Sequence, residues 1–164
     1  MNKYLIFRTD RIGDFLLSLI LIKSIKRNDI KSHITVVASN KNYDYIKSFK
    51  IVDEVILFKK GFFDRIKLIL LLKKKSFSYI ICHDGKKRSK FISFFLDSKY
   101  KYFLKQNRYK SFFEEIKFIL NNLNFSFNDT DFNTLDNRNI SSLVLDKKDY
   151  LLLHFDEKWI SSEY

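Results

Sequence analysis

The chain opens with an apolar run, Tyr4-Leu5-Ile6-Phe7, that passes through the polar stretch Arg8-Thr9-Asp10-Arg11-Ile12-Gly13-Asp14 into the apolar Phe15-Leu16-Leu17-Ser18-Leu19-Ile20-Leu21-Ile22. A short strand, a polar turn holding one glycine and a helix of apolar periodicity are the start of an α/β domain that binds its ligand at the carboxyl edge of a parallel sheet. Asp14 falls where the strand hands over to the helix, so its carboxylate is a chemical candidate as well as a natural helix cap. The same alternation continues. Strand patterns are expected at residues 4–7, 34–38, 54–58, 79–83 and 100–104, and helical patterns at 14–27, 42–49, 62–75, 88–96 and 111–123. This order predicts an α/β, Rossmann-like parallel sheet with helices on both faces.

Residues 1–123 are expected to form this Rossmann-like domain. From 124 to 148 the chain turns rich in Asn, Asp, Ser and Thr and reads as a connector, with a short strand at Ser142 to Leu145. Residues 149–164 bring a fresh buried-strand pattern, Tyr150-Leu151-Leu152-Leu153-His154, with no helix after it to cover it. The expectation is a chain truncated at the start of a second domain.

The formal net charge of +12 invites anionic partners. Lysine clusters at Lys73-Lys74-Lys75 and at Lys86-Lys87-Arg88 with Lys90 carry much of it, and read either as solvated faces or as anion contacts. No zinc, RNA-binding or helix-turn-helix pattern accompanies these residues, so nucleic acid is not expected as the partner. The lone cysteine, Cys82, excludes an internal disulfide and a cysteine zinc cluster. It ends an apolar strand pattern and is expected to be buried. The apolar runs Phe15 to Ile22 and Ile66 to Leu72 are too short to cross a bilayer, which leaves peripheral contact as the expected mode. Phe62, Phe63, Phe94, Phe95, Phe112 and Phe113 read as helix and core packing, and any phenylalanine left exposed beside lysine suits a membrane surface.

Within the opening loop, Arg8 and Arg11 are candidates to bind an acceptor phosphate or carboxylate through paired hydrogen bonds, or else to pair with Asp10. Gly13 suits a tight turn or a close approach of ligand to backbone. One glycine is not the three-glycine dinucleotide fingerprint, which disfavours a nicotinamide enzyme. His83 and Asp84 are adjacent at a strand end and point apart, so no metal site is expected.

Three blocks, Arg8 to Leu17, Ile51-Val52-Asp53-Glu54-Val55 and His83-Asp84-Gly85-Lys86-Lys87-Arg88-Ser89, carry a resemblance. In order and spacing the chain resembles glycosyltransferase family nine, the lipopolysaccharide heptosyltransferases. The resemblance implies the N-terminal, acceptor-binding half of a two-domain GT-B enzyme that inverts configuration at the sugar without a cofactor. It implies an ADP-heptose-like donor and an anionic core glycolipid as acceptor, on the cytoplasmic face of the inner membrane. Asp14 matches the family's catalytic base, and Arg88 and Ser89 match its acceptor-side Arg-Ser pair. Cys82 and Asp84 depart from the family pattern, where an acidic residue and a His or Gln are usual. Asp84 is kept among the acceptor contacts. Lys158, before Trp159, resembles the lysine that meets the donor phosphates, although the usual His-Pro-Gly turn is replaced by His154-Phe155-Asp156-Glu157. The rivals are a non-catalytic ligand-binding module of the same fold and a basic nucleic-acid-binding domain.

Overall fold

The computed structural model describes residues 1–104 and 111–132. Five parallel strands, β1 (Lys3–Arg8), β2 (His33–Ala38), β3 (Glu54–Leu57), β4 (Tyr79–Cys82) and β5 (Tyr100–Phe103), form one sheet in the order β3-β2-β1-β4-β5. Between and after them run α1 (Ile12–Asn28), α2 (Tyr43–Lys47), α3 (Phe62–Lys73), α4 (Lys87–Phe94) and α5 (Phe112–Asn122). Every element expected within residues 1–123 is present, each boundary within two residues of its sequence reading. The strand order reverses beside β1, so the chain has the doubly wound architecture in which ligands meet the carboxyl ends of the strands.

Alternation along β1 builds both cores. Tyr4 and Ile6 face one side with Ile34, Val36 and Ile81, under α1, α2 and α5. Leu5 and Phe7 face the other with Val37, Ile80 and Cys82, under α3 and α4. Strands buried on both faces read as continuous apolar runs, which is why Tyr4-Leu5-Ile6-Phe7 shows no polar alternation. The Cys82 thiol is buried as expected, and desolvation pushes its pKa up to about 12, so it is inert.

α1 departs from a one-sided stripe. Besides Phe15, Leu19, Ile22 and Ile25, it buries Ile20, Leu21, Ser18 and Ser24, because α5 and the following segment cover its outer side. Asn124 ends α5 in the left-handed region at φ 58°, and Phe125 and Phe127 return to the α1 core. The chain then forms a 3-10 turn at Asp129–Phe132. Asp131 accepts from Ser24 Oγ at 2.6 Å and from both Arg27 Nε and Nη2, at 3.1 and 3.0 Å. The first part of the aperiodic segment is therefore held to α1 by a fork of charged hydrogen bonds. The expected strands at Ser142 to Leu145 and Tyr150 to His154 lie outside the described residues, as does most of the connector.

Five of the phenylalanines expected to pack in the core do not: Phe62, Phe63, Phe94, Phe95 and Phe113 are exposed. On α4 the positions turned to the sheet are Ser89, Ile92 and Ser93, so aromatic rings occupy the outer side. No helix among the described residues is long and apolar enough to cross a membrane.

Burial pushes the Asp131 carboxyl up, but hydrogen bonds from Arg27 and Ser24 outweigh it and hold its pKa below the usual range. Asp131→Ala leaves the Ser24 hydroxyl buried without a partner and is expected to cost about 1–3 kcal/mol in urea unfolding. Because the folded pKa is depressed, the clamp contributes above the unfolded aspartate pKa and fades as pH falls through the folded value. The difference between variant and parent should shrink in acid.

Candidate anion-binding site

The end of β1 is organised by a buried arginine. Arg8 Nε donates to Ser18 Oγ at 2.5 Å, and its Nη1 donates to the His83 carbonyl at 2.7 Å and to Asp10 Oδ2 at 2.9 Å. The Arg8 carbonyl accepts from Asn42 Nδ2 at 2.8 Å, and Asn42 Oδ1 in turn accepts from Ser39 N at 3.0 Å. One residue thus fixes the loops that follow β1, β2 and β4. Arg8 was expected at the acceptor surface. Its guanidinium is instead buried and engaged, as in the Asp10 ion-pair alternative, so it positions the loop from behind.

A second clasp joins residues 75 apart in sequence. The buried Asp84 carboxylate accepts from Thr9 Oγ1 at 2.5 Å, Ser89 Oγ at 2.6 Å and the Lys86 N–H at 3.1 Å. Gly85 makes that turn at φ +59°, and a Cβ there would meet Leu104 Cδ2 at 3.3 Å. Asp84 and Ser89, expected as acceptor contacts, are spent inside the fold: their polar atoms face one another and the residues are buried. Arg88 differs. Its Nη2 donates to the Thr9 carbonyl and hydroxyl at 3.1 and 2.8 Å, and its guanidinium lies 5.5 Å from the Phe58 ring centre, while it remains half-exposed.

These loops surround a cleft of about 540 Å³ at the carboxyl edge of the sheet. Its charged lining is Arg11, Lys41, Lys59, Lys60, Lys86 and Arg88, against Asp10 alone, which already faces Arg8. Arg11 caps α1, Lys86 caps α4, and Lys59-Lys60 precede Gly61, the cap of α3. Helix N-termini and cations coincide, and both favour negative charge. Two buried polar atoms of the lining residues, Arg88 Nε and Asp10 Oδ1, have no partner among the described residues. Burial raises the Asp10 pKa, with the Arg8 charge opposing.

Asp14 sits half-exposed in the first turn of α1, and its Oδ2 accepts from the Arg11 N–H at 3.3 Å. It caps the helix and leaves its second oxygen outside that bond. Gly13 lies in the same turn without a positive φ, so the tight-turn reason for a glycine does not hold. A Cβ there would meet nothing within 4 Å, which keeps the approach to the backbone open. Lys158 lies outside the described residues. Lys73, Lys74 and Lys75 end α3 at the opposite edge of the sheet, where Lys75 pairs with Glu54 at 2.7 Å. Sequence reasoning missed Lys41, Lys59 and Lys60. Their signal was available, since each follows closely on a strand and so falls at the ligand edge.

Behind the cleft, Ser18 Oγ lies 2.7 Å from His83 Nδ1. That hydroxyl accepts from Arg8 Nε and also lies 3.4 Å from the Asp14 carbonyl, while His83 Nε2 lies 3.9 Å from Glu115 Oε1. Burial, with Arg8 nearby, holds the His83 pKa well below its usual value, so the ring is neutral. Burial also pushes Glu115 up to about 7, with Arg8 opposing. A carboxyl whose folded pKa is raised stabilises the fold below its unfolded value of 4.5, and this contribution is lost as pH rises through about 7. In thermal unfolding, Glu115→Gln should therefore gain on the parent as pH rises through that window. A constant difference across it would contradict the assignment.

No family model and no curated protein matches the sequence. Solved structures do match. The heptosyltransferase WaaC of E. coli with ADP superposes on 77% of this chain and 49% of its own, at TM-score 0.64 and 14% identity. The family 9 glycosyl transferase of Veillonella parvula covers 79% of this chain and 42% of its own, at TM-score 0.63 and 17% identity. WaaC with ADP-2-deoxy-2-fluoro heptose gives TM-score 0.55 at 16% identity, over 77% of this chain and 50% of its own. The chain spans about half the length of these proteins. Its fold is that of the heptosyltransferase-like glycosyltransferases of family nine.

Proposed function

We propose that this chain carries the acceptor-binding half of a glycosyltransferase, which moves a sugar from a nucleotide-sugar donor to an anionic, lipid-linked glycan. The observation that carries the reading is the carboxyl-edge cleft, with six cationic side chains beside the Asp14 turn, on a fold shared with heptosyltransferases. Phosphate and carboxylate groups of a core glycolipid match Arg11, Lys41, Lys59, Lys60, Lys86 and Arg88 in charge and number of donors. Heptose, delivered as ADP-heptose, is the sugar we propose, since one solved relative is WaaC with an ADP-heptose analogue. The enzyme would work at the cytoplasmic face of the inner membrane, where such an acceptor is anchored.

In this reading Asp14 takes the proton from the acceptor hydroxyl as that oxygen attacks the anomeric carbon. The bond from that carbon to the diphosphate breaks on the opposite side, the nucleoside diphosphate leaves with the electron pair, and the configuration inverts. Asp14 then returns its proton to water. The cations of the cleft hold the acceptor with its hydroxyl toward Asp14, and Arg8 and Asp84 keep the two loops in register. Lys158 would meet the donor phosphates. The chemistry needs no cofactor, because both partners arrive activated or anchored.

The hydrogen bond from Arg11 to Asp14 favours a second reading, a ligand-binding module of the same fold in which Asp14 only caps α1. Transfer assayed with the product of the complete reading frame separates the two. Asp14→Asn preserves size and the capping acceptor, and is expected to lower kcat by about 100-fold or more with the unfolding midpoint unchanged. Lys60→Ala combined with Arg11→Ala is expected to raise the acceptor KM and leave kcat near the parent value. Parent-level turnover in Asp14→Asn would remove the base assignment and leave the binding module.

A further inference from the structure

The outer sides of α3 and α4 carry apolar groups where a solvated helix carries polar ones. Leu68 and Leu72 hold α3 on the sheet, and on its other side Phe63, Ile66 and Leu70 follow at helical spacing, with Phe63 76% and Leu70 56% exposed. α4 is inverted. Ser89 and Ser93 face the sheet, Ser89 because the Asp84 clasp needs its hydroxyl, while Phe91, Phe94 and Phe95 face outward. Phe94 is 65% exposed, and the rings of Phe91 and Phe95 stack edge to face at 5.0 Å. Exposed aromatic rings on two neighbouring elements of one face exceed what isolated surface residues explain.

Charge on the same helices selects the occupant. Lys67, Lys73, Lys87 and Lys90 are exposed among these rings, and Asp64 is the one acidic residue that α3 and α4 contain. Lys90 Nζ lies 5.9 Å from the Phe94 ring centre and 5.3 Å from that of Phe103. A second copy of this face would set lysine against lysine. An anionic bilayer offers what the face lacks on both counts: acidic headgroups for the lysines, and an apolar layer just beneath for the phenylalanines. The face also adjoins the cleft, because Lys59 and Lys60 line it and Phe62, 69% exposed, follows two residues later at the start of α3.

We infer that the outer face of α3 and α4 seats on an anionic lipid bilayer, with Phe63, Phe91 and Phe94 inserted at headgroup depth and Lys67, Lys87 and Lys90 paired with lipid phosphates. The inference deepens the lipid-linked acceptor reading of the cleft, on which its biological direction rests, and it is tested without that reading.

The test is co-sedimentation of the full chain with phosphatidylglycerol vesicles and with phosphatidylcholine vesicles. Binding is expected to the anionic vesicles and to fall with salt. The triple variant Phe63→Ser, Phe91→Ser, Phe94→Ser should bind at least about tenfold more weakly with an unchanged circular dichroism spectrum. Lys67→Glu with Lys87→Glu, which leaves the rings in place, should also weaken binding. Equal binding by parent and both variants, or no preference for anionic vesicles, overturns the proposal. So does a parent dimer in ultracentrifugation that the triple variant abolishes, since the face would then belong to a second copy. Cleft variants that transfer to the glycolipid as the parent does, while vesicle binding persists, would refute the glycolipid reading and leave this one standing.

Discussion

The structure depends on the burial of one charged group, the Arg8 guanidinium at the end of the central strand. A cation there is tolerable only if its donors are satisfied, and Ser18, Asp10 and the His83 carbonyl supply the acceptors. Each acceptor comes from a different segment: α1, the first loop and the end of β4. The arrangement therefore ties the first helix and two loops to β1, and it shapes the carboxyl edge before any ligand arrives. It also reaches inward, because Ser18, which accepts from Arg8, meets His83 Nδ1 and the Arg8 charge acts on both His83 and Glu115. A lysine in place of Arg8 would carry the charge but not the fork that meets three acceptors at once.

Once the loops are fixed, the distribution of charge follows from topology. In a parallel sheet every residue that closes a strand or opens a helix collects at one edge, so cations scattered over residues 11 to 88 converge on a single cleft. The triplet Lys73 to Lys75, although a run of three cations like Lys86 to Arg88, ends a helix and falls at the far edge. Position in the winding, not local density, decides which lysines share the site.

The elements were legible because their apolar periods are unmixed: continuous runs for strands buried on both faces, and helical spacing between them. Polar roles were less legible for a definite reason. Arg8, Asp84 and Ser89 sit at strand ends or helix starts, where a polar side chain can point to solvent or fold back. Which occurs depends on partners such as Thr9 for Asp84 and His83 for Arg8, each 75 residues away in sequence. No local pattern encodes that pairing. The outward rings of α4 were hidden likewise, because the requirement that turns Ser89 inward lies in the Asp84 loop rather than in the helix. The resemblance to family nine pointed to the fold, and the geometry turned three expected acceptor contacts, Arg8, Asp84 and Ser89, into the scaffold.

On the proposed reading, an anionic sugar binds in the basic cleft at the carboxyl edge. The most direct measurement is nuclear magnetic resonance of the isotope-labelled chain titrated with a phosphorylated heptose or hexose. Binding there is expected to give saturable shifts at the amides of Thr9 to Asp14, Ser39 to Lys41, Phe58 to Gly61 and Lys86 to Arg88, with α5 and the strand interiors unmoved. Shifts confined to Lys73 to Lys75 and the far edge, or none at saturating sugar phosphate, would contradict it.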